Sequence, residues 1–345
     1  MSRGLEISQG AVNIVAMELP NVVIDDLLDE SGAPDTMGTE VRAGLTSTPK
    51  RLPSKYFYDT RGSELFEEIT TLPEYYLTRA EHALLEASAP TIAALTQFRE
   101  MVEPGAGSAK KTRTLIDAGL AEGCLERLFL IDVSHEMAEA SARTMASGYP
   151  GLEVHGVVAD FETDLDKIPP TPGRLVVFLG STIGNFTRTE SLDLLRRLRA
   201  LAGPGGWLLL GMDLVKDRAV LEAAYNDSRG VTAQFNANIL DVVNRFLEGN
   251  FVTGRFEHVS FYNEVESRIE SYLRARSAHS VHLGKLDLEI DLEAGEMIHT
   301  EISCKFTRES VSSLLESAEL GIYRWFTDVD DTFALSLSRV GNTEP

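Results

Sequence analysis

Between residues 100 and 214 the sequence alternates short, almost continuously apolar runs with longer amphipathic segments. Apolar runs at residues 128–132, 175–179 and 207–214 predict buried strands, and intervening segments such as residues 190–201 predict helices. Strands that are apolar on both faces are typical of parallel sheets covered by helices on each side. The alternation therefore predicts a doubly wound α/β sheet, whose ligand binds at the carboxyl ends of the strands.

The pattern changes after residue 216. Residues 219–225 and 235–246 predict helices, whereas residues 256–303 alternate apolar and polar side chains with a period of two. That period is typical of antiparallel strands with one solvated face. This region is therefore predicted to be a second, α+β domain inserted into the first.

A helix at residues 309–320 and two strands, at 322–326 and 333–337, are predicted to return to the first sheet and close it. We therefore divide the chain into three parts. They are an acidic extension with little fixed structure, residues 1–38; the domain of the parallel sheet, residues 80–214 and 306–345; and a second domain that binds substrate, residues 39–79 and 215–305.

The net charge limits the partners of the chain. There are 32 Lys and Arg against 53 Asp and Glu, a formal net charge of −21, which would repel nucleic acid and anionic membrane surfaces. The longest apolar runs fall far short of the ~20 residues that a membrane helix needs, and the N-terminus lacks the apolar core of a secretory signal. We therefore expect a soluble, cytoplasmic protein that binds a small molecule and, since no coiled-coil heptads occur, a monomer.

Metal and disulfide chemistry are not indicated. The two cysteines, Cys124 and Cys304, are too few for a disulfide framework, and neither lies in a metal-ligand spacing. The seven histidines, including His279 and His282, show no ligand spacing either.

A glycine loop, Glu-Pro-Gly-Ala-Gly at residues 103–107, lies between a predicted strand and a helix. Gly105 would let the backbone approach a ligand there, and Asp132, at the end of the next strand, could accept hydrogen bonds from both hydroxyls of a ribose. A nicotinamide fingerprint needs a third glycine where Lys110 stands, which disfavours an oxidoreductase. Loop and carboxylate indicate an adenosine-containing cofactor, with a helix N-cap as the alternative role of Asp132.

Two further strand ends carry polar residues. Asp160 could accept a hydrogen bond from an adenine amine while Phe161 stacks on the base. Alternatively, Asp160 is only a turn residue and Phe161 only a core side chain. Asn185 ends the polar loop 180–185 and could bind the ammonium and carboxylate groups of an amino acid, or instead cap the following helix. A nucleoside cofactor and an amino-acid substrate would both suit this edge.

Five motifs make a family resemblance specific. They are Lys-Tyr-Phe-Tyr-Asp at residues 55–59, Leu-Pro-Glu-Tyr-Tyr at 72–76, Val-Val-Phe-Leu-Gly-Ser-Thr-Ile-Gly-Asn at 176–185, Asp-Leu-Val-Lys-Asp at 213–217 and Glu-Ile-Ser-Cys-Lys-Phe at 301–306. From residue 41 to residue 337 the chain resembles the S-adenosylmethionine-dependent histidine Nα-methyltransferases of ergothioneine biosynthesis. The resemblance implies a Rossmann-like methyltransferase sheet with an inserted substrate domain. It also implies transfer of three methyl groups to the α-amino nitrogen of L-histidine, which gives hercynine and S-adenosylhomocysteine.

The same resemblance implies roles for individual residues. Those implied to hold S-adenosylmethionine are Gly105, Lys111, Asp132, Asp160 and Phe161. Those implied to hold the substrate are Tyr75, Asn185 and Tyr225 on its amino-acid head, Glu301 and Ser303 on its imidazole, and Tyr58 near the reacting nitrogen. Physical chemistry agrees, because residues two apart on a strand share a face, and a carboxylate with a hydroxyl satisfies both imidazole nitrogens. Without the resemblance, Glu301 would be interpreted as a solvated strand residue.

Two segments depart from the family pattern. The loop at residues 103–107 is Glu-Pro-Gly-Ala-Gly where the family usually has Glu-Leu-Gly-Ser-Gly; the glycines are kept, so the change should only stiffen the loop. Ser271 stands where a member of the family has a methionine beside the imidazole, and a smaller, polar residue could enlarge the pocket or admit a water molecule. Methylation of another aromatic amino acid, such as tryptophan or tyrosine, is therefore the alternative; a non-catalytic sensor of S-adenosylmethionine or histidine is the alternative from a different class.

Overall fold

The computed structural model describes residues 21–28 and 33–341, which form an α/β fold with one large and one smaller sheet. The strands are β1 (Val22–Asp26), β2 (Lys50–Arg51), β3 (Glu100–Pro104), β4 (Arg127–Asp132), β5 (Glu153–Val158), β6 (Arg174–Phe178), β7 (Trp207–Asp213), β8 (Phe256–Asn263), β9 (Arg268–Ala275), β10 (His279–Leu283), β11 (Leu288–Leu292), β12 (Met297–Cys304), β13 (Ile322–Thr327) and β14 (Phe333–Arg339). The α-helices are α1 (Ala33–Leu45), α2 (Thr60–Ile69), α3 (Leu77–Thr96), α4 (Arg113–Ala121), α5 (His135–Gly148), α6 (Arg188–Ala202), α7 (Arg218–Ala224), α8 (Val231–Leu247) and α9 (Arg308–Ser317).

The large sheet has eight strands in the order β1-β5-β4-β3-β6-β7-β14-β13. Neighbouring strands from β1 to β7 are parallel, whereas β14 pairs antiparallel with β7, and β13 antiparallel with β14. Every residue of β3, β6 and β7 is buried, as expected where helices cover both faces. The predicted doubly wound sheet, closed by two terminal strands, is confirmed. Its strand order reverses between β3 and β6, where such folds bind ligands.

The extension predicted for residues 1–38 is wrong in its second half. There β1 forms the edge of the large sheet, parallel to β5, and α1 begins a few residues later. This helix buries Met37, Val41 and Leu45, which are four residues apart and therefore share one helix face. The apolar spacing of this segment thus favours a packed helix more strongly than its acidic composition favours an unstructured extension. Residues 1–20 of the predicted extension lie outside the described part of the chain.

The predicted α+β insertion follows β7 and contains α7, α8 and three of the four strands of the smaller sheet. This sheet has the order β2-β12-β9-β8, with antiparallel pairs except for the short parallel pair of β2 and β12. β10 and β11 form a separate antiparallel hairpin, so the period-two region folds into two sheets. A bulge interrupts the pairing of β12 with β9 between His299 and Glu301, and bulges re-aim the side chains beside them.

A shared core joins the two sheets. One cluster of buried side chains includes Leu209 of the large sheet, Leu240 of α8 and Ile298 of the smaller sheet. A second cluster covers the opposite face of the large sheet, under α6 and α9. Directly after β12, the N–H of Phe306 donates to the carbonyl of Asp213 at 2.9 Å. The end of β12 therefore lies beside the carboxyl end of β7. The division of the chain at residues 38, 79, 214 and 305 stays a prediction.

Candidate active site

The loop between β3 and α4 forms a backbone cradle at the carboxyl edge of the large sheet. Gly105 and Gly107 have φ angles of +70° and +52°, which glycine adopts without strain. The N–H of Gly107 donates to Asp132 Oδ2 at 3.1 Å, and that of Ser134 donates to Oδ1 at 2.9 Å. Burial raises the pKa of Asp132 against the effect of these donors. Because Ser134 itself caps α5, the N-cap alternative for Asp132 is wrong.

Asp160 and Phe161 follow β5 at the same edge. The Phe161 ring packs edge-on against Phe178, with 5.5 Å between ring centroids, and against Phe186 at 6.3 Å. A Cβ atom on Gly105 would come within 3.4 Å of the Phe161 ring, so the ring and the glycine loop border the same space. The structure therefore brings the residues predicted at three strand ends together.

Lys111, just before α4, forms an ion pair with Glu81 of α3, whose carboxylate is buried. The other Glu81 oxygen accepts the N–H of Gly180 at 2.7 Å, which ties α3 to the loop after β6. A Cβ atom on Gly180 would lie 3.7 Å from Lys111 Nζ, so glycine keeps that side of the ammonium group open. Cradle, strand-end carboxylate and ammonium group together fit a nucleoside that carries an amino-acid group.

Three of the predicted tyrosines converge from distant parts of the chain. Tyr58 packs edge-on against Phe66 and Phe235, with centroid distances of 5.7 and 5.6 Å. The rings of Tyr75 and Tyr225 also pack edge-on, with 6.4 Å between their centroids. Burial raises the pKa of all three phenols, so they stay protonated at neutral pH. Within the described chain, the hydroxyls of Tyr58 and Tyr75 form no hydrogen bond.

Glu301 and Ser303 lie two residues apart on β12 but differ in their contacts. The half-buried Glu301 carboxylate has no hydrogen bond or ion pair with any described residue. Burial raises its pKa to about 7, although Lys305 acts to lower it. Ser303 Oγ accepts hydrogen bonds from the Tyr225 hydroxyl at 2.8 Å and from Lys305 Nζ at 2.9 Å. The charge of Glu301 also raises the pKa of all three phenols, so Glu301, Ser303 and the three tyrosines form one cluster.

Asn185 and Ser271 complete the predicted set. Asn185 ends a short 3₁₀ turn after β6, and its amide makes no hydrogen bond to any residue that the structure describes. Thr187 rather than Asn185 caps α6, so the capping alternative is wrong. Ser271 is buried on β9, directly opposite Glu301 in the register of the smaller sheet, and its hydroxyl lies 3.2 Å from that of Ser260.

A buried charge network behind the cluster was not predicted. Asp213, at the end of β7, accepts hydrogen bonds from Tyr76 at 2.8 Å, from Lys216 at 2.5 Å and from Lys305 at 2.8 Å. These four residues come from three of the five motifs quoted above. The motifs therefore pointed to this part of the site, but the family resemblance implies no role for these four residues. Glu81, in contrast, lies in no motif and could not have been singled out.

Among the described residues, no group of three or more His, Cys, Asp or Glu is arranged to hold a metal ion. None of the helices in the described part of the chain is both long and apolar enough to cross a membrane.

Comparison with known proteins gives extensive matches. The model of a family described as histidine-specific, S-adenosylmethionine-dependent methyltransferases matches residues 37–340. The histidine N-alpha-methyltransferase of Mycobacterium tuberculosis is 46% identical over 317 residues, which cover 92% of this chain and 99% of that protein. The enzyme of the same name from Mycolicibacterium smegmatis is 46% identical over 311 residues, 90% of this chain and 97% of that one. The L-tryptophan methyltransferase of Psilocybe serbica is 27% identical over 334 residues, 85% and 92% of the two chains.

The matched region contains the smaller sheet, every strand of the large sheet except β1, the glycine cradle and the tyrosine cluster. S-adenosylmethionine is therefore the methyl donor of this protein. The chain belongs to the family of histidine-specific, S-adenosylmethionine-dependent methyltransferases.

Proposed function

We propose that this protein transfers three methyl groups from S-adenosylmethionine to the α-amino nitrogen of L-histidine, giving hercynine for ergothioneine biosynthesis. The observation that carries the proposal is the Glu301 carboxylate, which has no partner in the described chain and lies beside three protonated tyrosines. Such a carboxylate needs an N–H from a ligand, and imidazole supplies one. The second imidazole nitrogen then suits the hydroxyl of Ser303, whereas an indole has no second nitrogen to offer.

On the donor side, we assign S-adenosylmethionine to the cradle. Asp132 would accept hydrogen bonds from the ribose hydroxyls, and Lys111 would bind the carboxylate of the methionine part. Asp160 and Phe161 would bind the adenine, with Gly105 allowing close approach of the backbone. The shared edge of Phe161 and Gly105 supports this arrangement.

On the acceptor side, we assign the amino and carboxylate groups of histidine to Tyr75, Asn185 and Tyr225. Asn185 and Tyr75 have polar groups without a partner among the described residues, which suits direct contact with a ligand. Glu301 and Ser303 would hold the imidazole, with Ser271 beside them.

The reaction is an in-line displacement, for which S-adenosylmethionine, when bound, supplies a methyl group on a positively charged sulfur. The protein orients the attacking amine. The Tyr58 phenol stays protonated, so it serves as a hydrogen-bond partner of the amine rather than as a base. The Tyr58 residue as a whole is 38% exposed, so solvent reaches this part of the site and can accept the departing proton. The faces of Tyr58 and Tyr75 can then stabilise the methylated ammonium group by cation–π contact.

The test is mass-spectrometric product analysis with S-adenosylmethionine and an equimolar mixture of histidine, tryptophan, tyrosine and phenylalanine. Addition of three methyl groups to histidine alone is the expected result. Methylation of another amino acid would make Ser271 a specificity determinant, and binding without turnover would support the sensor alternative.

The proposal includes a cytoplasmic monomer, on the sequence grounds of charge, apolar run lengths and the lack of heptads. Sedimentation at micromolar concentration tests the monomer.

A further inference from the structure

Lys305 lies behind the proposed imidazole site, with its side chain completely buried. Its ammonium group is close to three acceptors: Asp213 Oδ2 at 2.8 Å, Ser303 Oγ at 2.9 Å and Tyr225 Oη at 3.0 Å. An ammonium group has three hydrogens, so the protein uses all of them. Asp213, which also binds Lys216, fixes Lys305 from the side away from the site.

The contacts of Ser303 set the direction of its remaining hydrogen bond. Its oxygen accepts from Lys305 and from the Tyr225 hydroxyl, and a hydroxyl oxygen has two acceptor positions. Both are filled, so Ser303 can only donate its own proton to a ligand. Glu301, while ionised, can only accept.

We propose that Lys305 is a positioning residue that makes Ser303 a donor, so that imidazole binds with its N–H toward Glu301 and an unprotonated nitrogen toward Ser303. This inference rests on the proposed histidine substrate. An imidazolium ring would direct a second N–H at the Ser303 proton. A neutral ring avoids this contact whether or not Glu301 is ionised, because the carbonyl oxygen of a protonated carboxyl group still accepts an N–H. The complex therefore excludes the imidazolium form of the ring.

Other titratable groups also surround Lys305 and Ser303. They are Asp213 and Lys216 from the end of β7, Tyr75 and Tyr76 before α3, Tyr225 after α7, Tyr58 before α2, and Cys304 on β12. Burial raises the pKa values of the tyrosines and the thiol, and Asp213 is held between two lysines. Within the imidazole site, Glu301 and the ring are thus the pair expected to titrate between about pH 5 and 8. His258 on β8 and His299 on β12, whose pKa values burial lowers, are common to wild type and both variants.

The test uses hercynine, because its quaternary nitrogen carries no proton and the imidazole is its titrating group near neutral pH. Its dissociation constant is measured by calorimetry from pH 5 to 8, with S-adenosylhomocysteine present, for wild type, Lys305→Met and Lys216→Met. Lys216→Met is the matched control, because it also removes a lysine from Asp213 but leaves the contacts of Ser303. Below about pH 6 the wild-type dissociation constant should rise about tenfold more per pH unit than that of Lys305→Met. Lys305→Met frees an acceptor position on the Ser303 oxygen, so the bound ring can keep a second N–H and the complex holds one more proton than in wild type.

Parallel pH slopes for wild type and Lys305→Met would overturn the inference. An equal change in Lys216→Met would also overturn it, because the effect would then belong to the charge around Asp213. If Lys305→Met does not fold, nitrogen-15 NMR of labelled hercynine on the wild type decides. One protonated and one unprotonated ring nitrogen in the acid range support the inference, and two protonated nitrogens contradict it. Failure of the proposed function is distinct: the wild type would then neither methylate histidine nor bind hercynine at any pH.

Discussion

The donor and acceptor halves of the active site are held in place by different parts of the molecule. In the donor half, backbone N–H groups of Gly107 and Ser134 hold Asp132, and all three lie at one sheet edge. In the acceptor half, the Lys305 side chain holds Ser303, and Glu301 has no partner among the described residues. Backbone N–H groups therefore fix Asp132 on the cofactor side, whereas side chains, including Tyr225 from a distant segment, fix Ser303 on the substrate side. We expect substitutions in the two halves to have separable effects.

Glu301→Ala tests this separation with the largest expected effect. It removes a charge-assisted hydrogen bond to the imidazole, worth about 1.5 to 3 kcal/mol, so kcat/KM for histidine should fall about 10- to 100-fold. Calorimetry should find the affinity for S-adenosylhomocysteine within about twofold of wild type, because the two contacts are independent. A matching loss of cofactor affinity would show that the halves are not separable.

Glu270→Ala is the matched control on the neighbouring strand β9. The Glu270 carboxylate is already bound by Asn263, Arg268 and Tyr272. Its loss should cost stability without changing the KM for histidine. An equal fall in kcat/KM for both variants would attribute the effect to general disturbance of the smaller sheet.

Asp132→Asn sharpens the comparison from the donor half. The amide keeps the size of the side chain but loses its charge, and it can turn an N–H toward the donors of Gly107 and Ser134. The affinity for S-adenosylhomocysteine should fall about tenfold, as measured by calorimetry. At saturating cofactor, the proportions of mono-, di- and trimethylated histidine should match those of wild type, and Asp117→Asn, on the exposed side of α4, should leave the affinity unchanged. Altered proportions would mean that the cradle also positions the amine.

Tyr58→Phe tests the boundary between the halves with a smaller effect. Loss of one hydrogen bond to the amine should lower the rate about fivefold, most at the first transfer, since later transfers have fewer N–H groups left to orient. The measurement is the time course of each methylated species by mass spectrometry. Tyr272→Phe, a phenol of the smaller sheet bonded to Glu270, is the control. Unchanged kinetics at every step would remove Tyr58 from the mechanism.

The donor half could be predicted from local sequence because its parts are close in the chain or follow apolar strands. The glycine loop, Asp132 and Asp160 each stand at the end of a predicted strand, and parallel strands place their carboxyl ends together. The edge strand β1 was missed, because a short apolar run in an acidic segment does not show which sheet it joins.

The acceptor half could be predicted only through the family resemblance. Alternation along β12 shows that Glu301 faces away from the core, but it does not show whether that face meets solvent or a site. The bulge beside His299 depends on pairing with β9 and is likewise not encoded in the spacing. The burial of Lys305 against Asp213 arises from a contact between residues far apart in sequence, so periodicity carries no signal for it.

The final expected difference concerns stability. Burial raises the pKa of Glu301 from 4.5 to about 7, whereas at Glu270 the hydrogen bonds from Tyr272, Arg268 and Asn263 outweigh burial and lower the pKa. Folding thus opposes ionisation of Glu301, and this cost to the free energy of unfolding appears as pH rises from about 4.5 to about 7. The ionised Glu270 carboxylate, in contrast, stabilises the fold above its unfolded pKa, and this stabilisation is lost on acidification. The free energy of unfolding of Glu301→Gln minus that of wild type should therefore increase by about 1 to 2 kcal/mol between pH 5 and pH 8, after allowance for solvent screening. Glu270→Gln should instead be less stable than wild type at pH 8. Urea titrations at both pH values measure these differences. A constant difference for Glu301→Gln would mean that its carboxylate is as well solvated in the folded protein as in the unfolded chain, and an imidazole would then relieve no electrostatic cost by binding to it.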